Sequence, residues 1–316
     1  MLNFVLYNLK EEKIVPQNII SYELSRDTDA PCDGLRLTFV CDSTPDEVYR
    51  TEVYDNDELI FSGYADTQRE QIDDGGRTVF IYSRSSACIL VDNEAEPRSY
   101  YQPSLLSLFE IYAKGLGFEA EFEDVSCSAD YLISKGTSCY DAINNFSLGV
   151  IGKSIMVDVN GKLVIPDDSL SFRIDNENII SEKKVINRGN AVSVVDYKIN
   201  SDLEYNYHIK SRFMERQKIN RRRKINISAL PLWQQELTLK NIMNRSCESY
   251  NSMDLVLTGS HMIPLFSRIE YESGFQQPVR DYYLRSCKVI FDSNGERTKL
   301  VLNKKTDAEV ISYVAE

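Results

Sequence analysis

Over the first ninety residues apolar and polar positions alternate in short runs: Ile20, Tyr22 and Leu24, then Leu35, Leu37 and Phe39, then Leu59 and Phe61. A period of two puts each set on one face of a strand. The intervals carry turn chemistry, with Asp33-Gly34, the polar run Tyr54 to Glu58, and Asp73-Asp74-Gly75-Gly76 ahead of the β-rich Thr78 to Tyr82. Short strands at hairpin spacing predict a small antiparallel barrel or sandwich over residues 1–90.

Near Ser85 the period changes. Leu105, Leu108, Phe109 and Tyr112 recur at helical spacing behind the N-cap candidate Ser104, and Gly115 stands where a left-handed terminal residue is expected. A second helix is predicted from Ser138, with Asp141 closing a capping box and Cys139, Ala142, Ile143 and Phe146 on one stripe. Asn160-Gly161 then predicts a type I′ hairpin between Ile155–Val159 and Lys162–Ile165. Residues 91–185 therefore read as an α/β insert.

Strand patterns return over residues 186–316. Ala191 to Ile199, Tyr205 to Ile209, Leu255 and Leu257 before Gly259, and Tyr282 to Phe291 paired through Asn294-Gly295 with Lys299 to Leu302 all have β character. One helix, 231–250, interrupts them, with Pro231 at its first position and Leu232, Leu239, Met243, Cys247 and Tyr250 on one face. A Gly-x-Arg-Thr echo aligns Gly75 to Thr78 with Gly295 to Thr298. The expected fold is mainly β with an α+β insert: two similar antiparallel β-barrel domains flanking a small α/β domain.

A length of 316 residues fits such a two- or three-domain chain. Hydrophobic residues are 42% and charged residues 27%, and no run approaches the ~18 apolar residues of a membrane span, so no membrane insertion is expected. The seven scattered cysteines contain no C-x-x-C pair and read as reduced thiols. The start, Met1 to Tyr7, lacks a basic region and a continuous apolar stretch, so no export signal is expected.

Candidate chemistry is sparse. Gly152-Lys153-Ser154 imitates the end of a phosphate loop, but Ser147 holds the place of the required first glycine and a strand pattern follows. The two histidines, His208 and His261, have no short-spaced partner for zinc and no recognisable nucleophile motif. Acidic pairs are too numerous among 48 Asp and Glu to single out a glycosidase, and Glu119, Glu121, Glu123 and Asp124 read as a solvated or partner-facing surface. No catalytic, metal or cofactor-binding residues are assigned and no cofactor is expected.

Charge sharpens one feature. The chain carries 36 Lys and Arg against 48 acidic residues, a formal charge of -12, which disfavours general or sequence-specific nucleic-acid binding. Against that background Lys210, Arg212, Arg216, Lys218, Arg221, Arg222, Arg223 and Lys224 form a concentrated basic segment with a single acid, Glu215. With Phe213 as its one aromatic it is poorly furnished for base stacking; a solvated loop remains open, and docking on an acidic protein surface, another copy included, is the reading carried forward.

The order of features resembles a known family. Gly63-Tyr64-Ala65-Asp66, a turn, Ser83-Arg84-Ser85, Leu90 to Pro97 and a helix followed by Gly117-Phe118 resemble the G-x-x-D strand, the G-R-S strand end, the L-x-D-x-x-x-x-P crossover and the helix with Gly-Phe of baseplate hub proteins from contractile phage tails, the Mu-like and late-control-D group. Tyr140 to Ile143, Asn160 to Ile165, the strand 255–259 and the terminal hairpin extend the likeness to nearly the whole chain, while the glycine expected at Ser83 and the basic segment depart from it. The resemblance implies a structural, non-enzymatic hub of a tail, a tailocin or another contractile injection system: a homotrimeric ring of six barrels adapting a sixfold tube to a threefold spike. Its implied partners are other copies, a central spike protein, a tail tube or tube-initiator protein, baseplate wedge proteins and a tape-measure protein. Assembly would take place in the bacterial cytoplasm, with the baseplate as destination. With Glu316 close behind the second barrel, no fused hydrolase is expected. A tail-associated cell-wall-degrading enzyme and a peripheral receptor-binding module are the rival readings.

Overall fold

The computed structural model describes residues 2–43, 45–199, 203–228, 230, 232–275 and 279–314. The chain opens with seven strands, β1 (Asn3–Asn8), β2 (Lys13–Ile14), β3 (Asn18–Asp27), β4 (Gly34–Val40), β5 (Val48–Asp55), β6 (Glu58–Asp73) and β7 (Gly76–Ser85), ordered β3-β4-β7-β6-β5-β1-β2. Leu35, Leu37 and Phe39 alternate inward and meet Tyr22, Leu24, Val79 and Ile81 in one core, as a period of two requires. Ile20 departs from its expected face and is 46% exposed. The register of β3 on β4 shifts between Ile19 and Ser21, and the extra residue of this bulge turns Ile20 outward.

The turn chemistry differs from expectation in a similar way. Asn56 and Asp57 between β5 and β6 both have positive φ, 46° and 70°, as a type I′ turn demands. At Asn160-Gly161 and Asn294-Gly295 only the glycine does, at 82° and 86°. There an aspartate two residues before the asparagine holds the turn instead: Asp158 accepts from the Asn160 and Lys162 N–H groups, and Asp292 accepts from the Asn294 N–H.

The middle of the chain comprises α1 (Cys88–Asp92), β8 (Arg98–Tyr100), α2 (Leu105–Tyr112), β9 (Glu119–Glu121), β10 (Tyr131–Ile133), α3 (Cys139–Val150), β11 (Met156–Val157) and β12 (Lys162–Val164). Ser104 accepts from the Ser107 N–H and Ser107 Oγ accepts from the Ser104 N–H, a reciprocal cap that starts α2. Gly115 is not the left-handed residue; a 3₁₀ turn over Lys114–Leu116 prolongs the helix and moves positive φ to Gly117, at 92°. Ser138 caps α3 by accepting from the Asp141 N–H. The buried faces of α2 and α3 share a core with Leu90, Tyr131, Ile133 and Leu163.

The remainder contains β13 (Ser171–Arg173), β14 (Ile179–Ile186), β15 (Val194–Lys198), β16 (Tyr207–Ser211), α4 (Arg212–Arg216), β17 (Arg222–Asn226), α5 (Leu232–Glu248), β18 (Asn251–Thr258), β19 (Arg268–Tyr271), β20 (Val279–Asp292), β21 (Gly295–Lys304) and β22 (Val310–Val314). Pro231 lies outside the described residues. Leu239, Met243 and Cys247 line the buried face of α5, and Tyr250, expected on the same helix, is buried against the same core from the turn after Glu248. The expected single barrel over 186–316 is divided. Strand β14, from the end of the expected insert, pairs with β18, whereas β15, β16, β17 and β22 form a separate four-stranded sheet on α5 with its own core around Val195, Ile209 and Met214. Residues 191–250 thus interrupt the second β unit between its first and second strands.

The two β units repeat one topology. In the first, β3 to β7 lie in the order β3-β4-β7-β6-β5; in the second, β14, β18, β19, β20 and β21 lie in the order β14-β18-β21-β20-β19. Their opening strands carry the same tetrad, Asn18-Ile19-Ile20-Ser21 and Asn178-Ile179-Ile180-Ser181, with a bulge at the same place and Ile180 exposed like Ile20. The hairpins match with Gly76 on Gly295, since Val79 and Ile81 face inward where Thr298 and Leu300 do. The Gly-x-Arg-Thr echo is therefore one residue out of step with the structure, which reverses every face. Pairing of β3 with β20 fuses both units into one 13-stranded sheet.

Candidate functional site

The basic segment is not a loop. Lys210 lies on β16, Arg212 and Arg216 sit on α4, and Arg222 to Lys224 form most of β17, an edge of the four-stranded sheet. That placement splits the cluster. Lys210 pairs with Glu215 at 3.1 Å, and Arg216 grips Glu309 with both terminal nitrogens, at 2.8 and 2.5 Å. The Arg216 fork holds the Glu309 carboxyl below its ordinary range, against a smaller opposing effect of burial. Arg221 donates to the Arg188 carbonyl, and Lys224 stands over the Tyr205 ring. On β17 successive side chains point to opposite faces, so Arg223 is separated from Arg222 and Lys224. Arg212, Lys218, Arg221, Arg222, Arg223 and Lys224 are exposed, and charges along an edge also discourage unspecific strand addition.

Arg222 reaches inward to a group absent from the sequence reading. Asp196 on β15 is buried, with Oδ1 2.6 Å from Nδ1 of the buried His208 on β16 and 3.6 Å from Arg222. Cross-strand pairing of Asp196 with His208 makes this contact possible. Their spacing of twelve residues gave no motif to detect. Arg222 consequently offsets a buried carboxylate as well as adding to the surface charge. His261 lies elsewhere, its Nε2 2.8 Å from the Thr258 carbonyl, and among the described residues no three His, Cys, Asp or Glu side chains converge on a metal position.

Residues from three separate motifs meet where the first β unit joins the α/β part. Arg84 of the Ser83-Arg84-Ser85 strand end contacts Asp66 through Nε at 2.5 Å and Nη2 at 3.1 Å, and Asp92 through Nη1 at 3.0 Å and Nη2 at 2.6 Å. These hydrogen bonds raise the Arg84 pKa and hold Asp92 below the usual carboxylate range. The Asp66 carboxylate is delivered by the β6 bulge between Ala65 and Thr67, and Asp92 by the end of α1. Gly63 lies opposite this strand end with no room for a side chain: a methyl carbon there would stand on the Arg84 carbonyl, 2.7 Å from its carbon. Ser83, at the position where the resembling family has glycine, is small enough to be fully buried. The arrangement is a double clamp in which one arginine ties the end of β7 to β6 and to α1.

No protein-family model and no curated protein matches the sequence. In fold, the chain resembles tail proteins of phages and components of type VI secretion. The tail protein from Neisseria meningitidis superposes with a TM-score of 0.75 at 14% identity, covering 98% of both chains. The 43 kDa tail protein of prophage MuSo2 from Shewanella oneidensis gives 0.78 at 15% identity, covering 98% of this chain and 99% of that one. An E. coli type VI secretion component described as similar to T4 tail proteins gives 0.58 at 7% identity over 95% of this chain and 77% of that one. At identity this low the superpositions establish a common mainly β fold and nothing further.

Proposed function

We propose that the protein is a structural component of a phage tail or related injection particle, and within it the baseplate hub: a ring of three copies that adapts a sixfold tube to a threefold spike. The observation that carries this reading is the duplicated strand order within a fold shared end to end with tail proteins. Two like units per chain let three chains offer six near-equivalent positions on one side while keeping threefold symmetry on the other. The three-part division belongs to this proposal, with the start of the second β unit moved forward from residue 186 to include β14. So do the partners: other copies, the spike, the tube or its initiator, wedge proteins and the tape measure. Similarity to Francisella PdpA-VgrG complexes, with a TM-score of 0.56 over all of this chain and 53% of the other, favours a spike-associated location. The basic segment 210–224 is assigned to a contact with an acidic neighbour, and no enzymatic activity is assigned. Imaging of assembled particles tests the reading: three copies on the central axis are expected, whereas a peripheral position or a ring of six copies would overturn it.

A further inference from the structure

The two strand edges joined where the units fuse have equivalents elsewhere in the repeat, and among the described residues those equivalents pair with no strand. Strand β20 extends past its partner β19 and is covered there by β3, with Ser286 to Phe291 opposite Asp27 to Tyr22. Its counterpart β6 likewise extends past β5, whose pairing stops at Tyr64, and residues 65–73 have β7 on one side and no strand on the other among the described residues. The counterpart of β3 is β14, which ends the 13-stranded sheet with one side open. Exposed isoleucines stand on both edges, Ile72 on β6 at 71% and Ile180 and Ile186 on β14 at 56% each. An open edge is a template for another strand, and the charged side chains along these two restrict which strand can add.

We infer that β14 of one copy pairs antiparallel with residues 67–72 on β6 of a second copy, repeating between chains the junction made by β3 and β20 within one. The register follows from the repeat. Gly295 corresponds to Gly76 and the bulge residue Arg285 to Asp66, both 219 residues apart, while Asn178 corresponds to Asn18, 160 residues apart. Carrying the internal pairs across sets Lys184 opposite Glu70, Lys183 opposite Gln71, Val185 opposite Arg69 and Glu182 opposite Ile72. Leu24 opposite Val289, buried inside the chain, thus becomes Lys184 opposite Glu70 between chains, and the charge match suits an interface that must form from soluble parts. Lys183 is flanked diagonally by Arg69 and Asp73, so the Lys184–Glu70 pair carries the complementarity. One copy uses β14 and the other β6, so the contact is head to tail and closes into a ring when the step angle permits. This inference rests on the self-assembly reading above and specifies its interface.

Directly opposed side chains have Cβ atoms about 4.5–5.5 Å apart, close enough for a disulfide after slight adjustment. The full-length Glu70→Cys/Lys184→Cys variant, mildly oxidised, is expected to give covalently linked oligomers ending at a closed trimer on a non-reducing gel. Gln71→Cys/Lys184→Cys, whose side chains fall on opposite faces, and the unsubstituted chain with its native thiols are expected to give none. Native mass spectrometry on the same samples separates the outcomes. An oligomer that forms without the 70–184 link overturns this register and leaves self-assembly standing. A protein that stays monomeric and unlinked at its highest soluble concentration overturns the strand-addition interface, and the hub reading is then decided by particle imaging. As a second variant, Glu70→Lys is expected to weaken association roughly tenfold per junction and Glu70→Lys/Lys184→Glu to restore it.

Discussion

Replacing Gly63 by alanine tests the clamp between the first β unit and the α/β part. At a permissive site this substitution reduces the freedom of the unfolded chain and stabilises by about 0.4–1 kcal/mol. Gly63 has no positive φ, so backbone strain does not enter. The obstacle is steric: the new methyl would meet the Arg84 carbonyl, with the carbonyl carbon at 2.7 Å and Cζ of Phe61 at 2.9 Å, against about 3.5–4.0 Å for comfortable carbon contact. Phe61 is buried, and the Arg84 backbone is held by pairing with Tyr64 and by the forks to Asp66 and Asp92. The Arg84 backbone cannot yield without breaking part of the β6–β7 ladder, and the Phe61 ring is confined by the core around it. Overpacking against such a site costs about 1–3 kcal/mol, and the loss of one ladder hydrogen bond adds about 1 kcal/mol. Set against the entropic gain of about 0.4–1 kcal/mol, these costs are expected to leave Gly63→Ala destabilised by about 2 kcal/mol. Urea unfolding followed by far-UV circular dichroism and by fluorescence measures it, with both probes guarding against a transition that is not two-state. A variant with the same midpoint as the parent would refute the close approach on which the clamp is built.

The two helix-end glycines offer a paired test: Gly115→Ala, with open space and no positive φ, is expected to be neutral or stabilising by about 0.5 kcal/mol, and Gly117→Ala, at φ 92°, to destabilise by about 1 kcal/mol, both read from thermal midpoints. Asp168 is held at a pKa of about 2, chiefly by hydrogen bonds from Lys305 and then Lys153. A depressed carboxyl stabilises the fold above its unfolded pKa, so this contribution, under about 1 kcal/mol for so exposed a group, is expected in full above pH ~4 and to disappear as pH falls to about 2. Thermal scans of Asp168→Asn across that range should converge on the parent only at the acid end. Lys218→Glu/Arg223→Glu is expected to fold normally yet lower particle yield, whereas Arg222→Glu, which sets a carboxylate beside buried Asp196, is expected to lose about 2 kcal/mol of stability by denaturant titration.

Much of the local structure was legible because its causes are local. Leu35, Leu37 and Phe39, and the helix stripes through Phe109 and Phe146, face the core because period and core agree. The Asn178 to Ser181 tetrad was equally present in the sequence and was the better repeat signal; Gly-x-Arg-Thr was nearer the turn but one residue out of step. The basic segment was visible as composition, yet whether its members stood together depended on the alternation of β17 and on Glu309, almost a hundred residues from Arg216.

What the sequence determined by itself was the set of elements and most of their buried faces, since hydrophobic periodicity, caps and turn residues act within a few positions. What only the tertiary structure decided was register and partnership. A bulge at Ile20 or Asp66 depends on the strand across from it, β14 joined β18 rather than the insert nearby in sequence, and Arg84 acquired its meaning from Asp66 and Asp92 arriving on separate elements. Those choices are made by cross-strand packing and ion pairing between residues far apart in the chain, where the free energy of each pairing depends on every other strand being in place.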